Sequence, residues 1–315
     1  MEPLIFHSAE HVLQEVRAMR VRGGSAFGQA AAHAFRLVAE DDRIESTPAL
    51  FAALERVAAA LLEEKPTMAT IHNARTLVIE AARAEVSEES LAGAREAVRA
   101  RAHRFLDHSR SAVERLGTIG ARLVQDGQII MMHSFSESVL AIFAQAKGMG
   151  KQFHVICTES RPLREGRFAA GRLSSLGVPV TFVTDAAMAE MVPAANWLVV
   201  GADSVGLDGT LANKMGTNLL SIVAERFDKP FYVAGELMKL QRQTQQGFPI
   251  VLERRPPGEI IHEDEFEHGD NVTVQNQFFD LTPPQRIRAI VTEEGLFAPA
   301  QMAQVWQALS AALDR

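Results

Sequence analysis

The chain has 315 residues, of which 47% are apolar and 23% charged, with a net charge of −7. This is the composition of an ordinary globular protein with room for one large domain or two of usual size. The acidic balance argues against a general nucleic-acid binder, which carries a basic excess, and the lone cysteine, Cys157, excludes an internal disulfide framework. No stretch approaches the ~18 apolar residues of a membrane-spanning helix. The start, with Glu2 and Glu10, lacks the pattern of a signal peptide. A soluble cytoplasmic protein in a reducing compartment is expected.

From about Ala9 to Gln125 the chain is rich in Ala, Leu, Glu and Arg with apolar residues at helical spacing. Ala30–Val38, Pro48–Glu64, Ala69–Glu85 and Glu88–Gln125 read as successive helices, with Pro48 and Pro66 near starts, where proline is tolerated. Ser87, followed by Glu89 and Ser90, reads as the cap of the last helix, and Gly93, Gly117 and Gly120 as places where it bends or breaks. An all-helical N-terminal domain is expected over residues 1–125.

The pattern changes at Asp126–Gly127. Gln128–His133, Phe153–Thr158, Pro179–Thr184, Trp197–Val200 and Pro230–Ala234 read as strands. Ser136–Ala146, Gly166–Leu176, Ala186–Met191 and Thr217–Phe227 read as helices between them. This alternation predicts an α/β domain over residues 126–315, with a largely parallel sheet and right-handed crossovers. All strand C-termini then share one edge, at loops 134–137, 159–165, 185, 203–213 and 235–239. Gln243–Asn276, with Glu263, Asp264, Glu265, Glu267 and Asp270, reads as an exposed acidic excursion. Phe278–Ile290 reads as a final apolar stretch in which Thr282–Pro283–Pro284 starts a helix.

That edge is where open α/β sheets bind ligands. Its loops carry Ser134, Ser136, Glu159, Arg161, Arg167, Asp185, Asp203, Asn213, Lys214, Thr217 and Lys239. Two arginines, two lysines and the start of the helix after Gly216 favour a phosphorylated guest, bound bidentately by arginine and as a point charge by lysine. Asp203, placed by a buried strand, is the expected acid/base group, its pKa raised by partial burial. Arg22–Gly23–Gly24–Ser25 opens a helix in the first domain and is a second, weaker anion signal. His133 beside Ser134 does not make a hydrolase, since neighbours on a strand face opposite ways and no G-x-S-x-G elbow is present. The histidines are scattered, so no metal site and no cofactor is expected, and Cys157 is expected to be inert packing.

Several motifs occur in order and resemble one superfamily. They are Thr158–Glu159–Ser160–Arg161–Pro162 with Glu165–Gly166–Arg167; Gly201–Ala202–Asp203 through Gly209 to Asn213–Lys214–Met215–Gly216–Thr217; Phe231–Tyr232–Val233–Ala234 with Lys239; and Phe279–Asp280–Leu281–Thr282–Pro283–Pro284 with Thr292–Glu293–Glu294–Gly295. Val21–Arg22–Gly23–Gly24 and Lys65–Pro66–Thr67 resemble its earlier elements. The superfamily joins methylthioribose-1-phosphate isomerases, ribose-1,5-bisphosphate isomerases and the alpha/beta/delta regulatory subunits of the exchange factor for eukaryotic translation initiation factor two. The resemblance implies a Rossmann-like second domain with helices on both faces, and a homodimer or higher oligomer formed through it. It implies an aldose–ketose isomerisation in which a cysteine and an aspartate are acid/base partners. Asp203 matches the aspartate, and Arg22, Gly23, Gly24, Arg161, Asn213, Lys214 and Lys239 match the sugar-phosphate pocket.

The cysteine position reads Met132–His133–Ser134–Phe135–Ser136, with Ser134 in place of the thiol. A hydroxyl has a pKa far above a thiol's ~8.5 and is a poor proton shuttle. The expected function is therefore binding of a sugar phosphate or nucleotide monophosphate with impaired turnover. The alternatives are an isomerase of altered mechanism using Asp203 and Ser134, and a regulatory or interaction subunit.

Overall fold

Residues 4–86, 90–262, 265–267, 269 and 271–313 are described in the computed structural model. The chain divides into units of residues 1–112 and 113–315, the division falling inside one long helix. The fold is α/β: a helical N-terminal region followed by a mostly parallel seven-stranded sheet.

Short polar residues start the helices of the first unit. Ser8 caps α1 (Ala9–Arg17), Gly23 precedes α2 (Gly24–Ala39), and Ser46 caps α3 (Thr47–Glu64) with Pro48 in its first turn. Next come α4 (Ala69–Ala74), a π-helical segment at Arg75–Glu80, and α5 (Ala81–Glu85). The stretch Ala69–Glu85 is thus helical throughout but not regular. The face of α2 that carries Ala30, Ala31, Ala34 and Phe35 is buried. At Gly28 an added Cβ would stand 2.6 Å from that of Thr70, so only glycine permits α4 to come this close.

The long helix α6 (Leu91–Gly120) starts at Ser90, whose hydroxyl accepts from Gly93 N at 3.1 Å. The expected cap residues Ser87 and Glu89 lie outside the described residues. The helix runs unbroken through Gly93 and Gly117 and ends at Gly120, where a 3₁₀ turn follows. Its two last glycines serve packing: a Cβ on Gly120 would stand 2.5 Å from Ile142.

The second unit runs β1 (Ile129–His133), α7 (Glu137–Gly148), β2 (His154–Thr158), α8 (Gly166–Ser175), β3 (Val180–Val183), α9 (Met188–Met191) and β4 (Trp197–Val200). It continues β5 (Ser204–Gly206), β6 (Leu211–Lys214), α10 (Thr217–Arg226), β7 (Phe231–Ala234), β8 (Leu240–Gln241), β9 (Phe279–Thr282), β10 (Ala289–Thr292), β11 (Gly295–Phe297) and α11 (Met302–Leu313). The main sheet has the order β11-β10-β7-β4-β1-β2-β3, parallel except for β11. The chain therefore travels outward from β1 to β3, returns to β4, and travels the other way. The reversal lies between β1 and β4, paired in the register His133↔Val200.

Strand alternation sorts the side chains into two cores. Ile130, Met132, Val199 and Cys157 face α7, α8 and the end of α6, while Met131, Leu198, Val200 and Val233 face α9, α10 and α11. Strands covered on both faces read as continuous apolar runs, which is why they were legible. Burial pushes the Cys157 thiol up to about 12, as inert packing requires. No helix of the described residues is long and apolar enough to cross a membrane.

Three expectations are corrected. The loop 203–213 holds a hairpin, β5–β6, which joins β8 and β9 in a second sheet of order β8-β5-β6-β9. Its turn is made by Asp208, whose carboxylate accepts from Thr210 N at 2.9 Å, and Gly209 at φ +86°. Thr282–Pro283–Pro284 starts only one 3₁₀ turn, and Phe278–Ile290 contributes β9 and the start of β10. The segment 243–276 is not exposed throughout, since Ile250, Glu253 and Asn276 are buried. Its acidic residues Glu263, Asp264 and Asp270 lie outside the described residues.

Gly166 opens α8 directly under the end of β2, where an added Cβ would stand 1.8 Å from the Thr158 carbonyl oxygen. Gly166→Ala is expected to destabilise the protein by about 3 kcal/mol, read as a shift in the urea midpoint with an unchanged m-value.

Candidate functional site

The topological reversal brings Ser134 and Asp203 to neighbouring positions. Ser134 follows β1 and Asp203 follows β4 by three residues, and adjacent strands lie ~4.8 Å apart. Close passage of the two loops depends on Gly201, where a Cβ would stand 2.5 Å from Ser136 Oγ. Lys239 comes from the next strand-end loop, after β7, and Asn213 and Lys214 from β6.

Asp203 lies deep in the fold yet keeps partial solvent access. No group among the described residues donates a hydrogen bond to its carboxylate. Burial raises its pKa to about 6; Lys214 and Lys239 pull it down, while Glu165 and Glu253 push it up. At neutral pH it is mostly ionised but exchanges a proton readily, which is what a general acid/base needs. The aspartate caps no helix and closes no turn.

Both lysines arrive with counterions. Lys214 Nζ lies 2.6 Å from Glu165 and 3.1 Å from the centre of the Phe278 ring. Burial lowers its pKa, opposed by Glu165 and Asp203. Lys239 Nζ lies 2.9 Å from Glu236 and donates to Ser138 Oγ at 3.3 Å. The expected phosphate-binding cations are therefore buried and largely neutralised, not open. The start of α10 is also taken: Gly216 N and Asn218 N donate to Asp280 Oδ2 at 2.8 and 3.1 Å. Burial raises the pKa of Asp280 to about 6 against those two bonds. The anion expected at that helix is supplied by the chain itself.

Arg161 is exposed and donates to the Ile260 carbonyl at 2.6 Å, and Arg167 is exposed over the Phe168 ring. Arg22, Gly23 and Gly24 lie in the first unit, where Arg22 Nε donates to Met19 O at 3.1 Å and Gly23 takes φ +89° before α2. Asn213 is buried and donates to Thr217 Oγ1 at 2.9 Å, holding the Lys214–Thr217 turn.

Ser134 stands at φ +70° in the sharp turn from β1 to α7, and its hydroxyl makes no hydrogen bond among the described residues. His133 cannot serve it. Its Nδ1 is 2.6 Å from Thr158 Oγ1 and its Nε2 2.8 Å from the Met215 carbonyl, and burial lowers its pKa against the Asp185 charge and the Met215 bond. A serine–histidine nucleophile is absent.

Residues that sequence reasoning passed over are Glu165, Glu236, Glu253, Arg255 and Asp280. Arg255 pairs with Glu253 at 2.9 Å and with Glu259, lies 5.0 Å from the Phe278 ring, and its charge disfavours the protonated form of nearby Lys214. The acidic composition of the segment 243–276 concealed this half-buried arginine. Glu165 and Asp280 were visible inside quoted motifs, but nothing in a motif shows that a carboxylate neutralises a lysine or caps a distant helix.

Residues 20–299 match the model of the Initiation factor 2 subunit family. The chain belongs to that family. It is 32% identical over 290 residues to a ribose 1,5-bisphosphate isomerase of Thermococcus kodakarensis, covering 91% of this chain and 90% of that one. It is 36% identical to a putative translation initiation factor eIF-2B subunit 2-like protein of Pyrococcus abyssi, covering 91% and 95%. Among solved structures it resembles a Pyrococcus horikoshii OT3 translation initiation factor eIF-2B, with a TM-score of 0.79 at 32% identity, covering 93% of this chain and 98% of that one. Family membership thus joins isomerases and initiation-factor subunits on one fold.

Because the Asp203 pKa is raised on folding from 3.8 to about 6, its ionisation is costlier in the folded chain. The cost is absent below the unfolded value, grows between pH 4 and 6, and is complete above that. Asp203→Asn is therefore expected to raise Tm at pH 8 and to leave it nearly unchanged at pH 4, as measured by thermal unfolding at the two pH values. Asp280→Ala removes the acceptor for two amides of α10 and is expected to lower stability by about 1 kcal/mol, read from urea unfolding.

Proposed function

We propose that this sheet edge binds a ribose 1-phosphate derivative of the ribose 1,5-bisphosphate type, with Asp203 as the proton-exchanging group and Ser134 as a hydrogen-bonding partner to the sugar. The observation that carries the reading is the Asp203 carboxylate: deep, free of protein donors, and poised near pH 6 at the reversal point of the sheet. A polar ligand hydroxyl supplies what that carboxylate lacks. The Lys239–Ser138 contact, which brings a cation to the first turn of α7, supports an anion beside it.

Conversion of such an aldose to the ketose opens the ring at C1. The C1–O4 bond breaks and O4 takes up a proton, a hydrogen moves from C2 to C1, and the C2 hydroxyl gives up its proton to become the carbonyl, so no proton is gained or lost overall. Asp203 supplies one proton carrier with a suitable pKa. The second carrier, a cysteine in the isomerases this chain resembles, is here the Ser134 hydroxyl, which stays protonated at neutral pH. Turnover falls accordingly, while binding does not depend on a thiolate.

A regulatory subunit is the second reading. It is favoured by the internal counterions, since Glu165 and Glu236 already neutralise Lys214 and Lys239 and a phosphate must compete with them. Assembly as a homodimer or larger homo-oligomer through the second unit fits either reading, and light scattering tests it.

Incubation with ribose 1,5-bisphosphate is expected to raise Tm, and Asp203→Asn to weaken that shift. Ser134→Cys is expected to form ketose at least about 10²-fold faster than the natural chain, the usual worth of a positioned acid/base group. No stabilisation by any pentose phosphate or nucleotide monophosphate would sink the ligand reading in favour of the regulatory one.

A further inference from the structure

The edge carries a second set of polar residues that the proposed reaction leaves unused: His133, Thr158, Ser160 and Asp185, from the ends of β1, β2 and β3. Their contacts form one directed chain. Ser134 N donates to Ser160 Oγ at 2.7 Å, and Ser160 Oγ lies 3.2 Å from Thr158 Oγ1. Thr158 Oγ1 lies 2.6 Å from His133 Nδ1, and His133 Nε2 lies 2.8 Å from the Met215 carbonyl.

Chemistry assigns the protons. A carbonyl only accepts, so Nε2 carries the hydrogen and Nδ1 of the neutral ring accepts from Thr158. The Thr158 oxygen then accepts from Ser160, whose oxygen receives the Ser134 amide. Burial of His133 holds the ring neutral, and with it this polarity.

The chain is anchored by one carboxylate. Asp185, just past β3, accepts from Ser160 N through Oδ1 at 2.8 Å and from Arg161 N through Oδ2 at 2.7 Å. Two charge-assisted bonds hold Ser160 at φ +62°, a conformation that serine otherwise avoids. Ser160 is wholly buried, and its hydroxyl meets the amide of the one residue, Ser134, that is also held at positive φ in the next strand-end turn.

Resting on the ligand reading above, we propose that Asp185 is a positioning residue for Ser134: it fixes Ser160, and Ser160 fixes the Ser134 turn so that the free hydroxyl faces the ligand. Asp185 touches neither the ligand nor Asp203 in this role. The Met215 end of the same chain ties the Ser134 turn to the Lys214–Thr217 turn, so the two ligand-facing loops share one support.

The test uses the full chain and two readouts, one of which needs no ligand. In Asp185→Ala, hydrogen exchange at the Ser134 amide is expected to rise at least about tenfold while the Met131 and Met132 amides of β1 stay protected. Affinity for ribose 1,5-bisphosphate, from thermal shift, is expected to fall by a similar factor. Asp185→Asn keeps one acceptor oxygen and is expected to lie between; it also serves if the alanine variant fails to fold. Unchanged exchange at Ser134 in both variants overturns the proposal, as does raised exchange with undiminished affinity. If the natural chain binds no sugar phosphate, the ligand reading fails by itself, and the exchange comparison still decides whether Asp185 positions Ser134.

Discussion

A carboxylate deep in the fold with only partial access to water and no donor among the described residues is expensive, and the sheet edge is organised around that cost at Asp203. The lysines that offset it are themselves buried, and each brings its own carboxylate: Glu165 for Lys214 and Glu236 for Lys239. The result is an interlocked set of charges in which no member is a free cation awaiting a phosphate. Desolvation wins narrowly at Asp203, leaving its pKa near 6 and not at the value of a solvated aspartate. A group so poised costs stability and gains reactivity.

The backbone pays for the same arrangement in conformation. Ser134 and Ser160 both sit at positive φ, which costs on the order of 1 kcal/mol each. Hydrogen bonds running through Ser160 and Asp185 sustain the pair. Strain confined to the two strand-end turns beside the reversal point of the sheet, and offset by buried polar contacts, is what a preorganised ligand edge requires.

On the proposed function, a serine where the isomerases are expected to carry a cysteine has a physical meaning against this background. Ser134 and Asp203 share one edge of the sheet, and a single atom separates the serine hydroxyl from a cysteine thiol. That atom changes proton affinity far more than shape. Under the proposed function, ligand sensing and slow conversion would fall on the same residues, in a family that contains both isomerases and initiation-factor subunits.

Much of this was legible in the residues. Strands buried on both faces, such as Trp197–Val200, read as apolar runs, and their alternation with helices dictated a parallel sheet whose C-terminal edge carries Ser134 and Asp203. The Asp208–Gly209 turn of the β5–β6 hairpin was also written there and was passed over because its strands are only three and four residues long. What local pattern could not express was pairing across the fold. Lys214 reads as a cation in sequence, but whether it meets a ligand or Glu165 depends on a contact between β6 and the loop after β2. The start of α10 reads as an anion site until β9 delivers Asp280 to it. Side-chain type and period are local properties and determine elements; charge neutralisation acts through space, so only the tertiary structure decided which charges were left for a ligand.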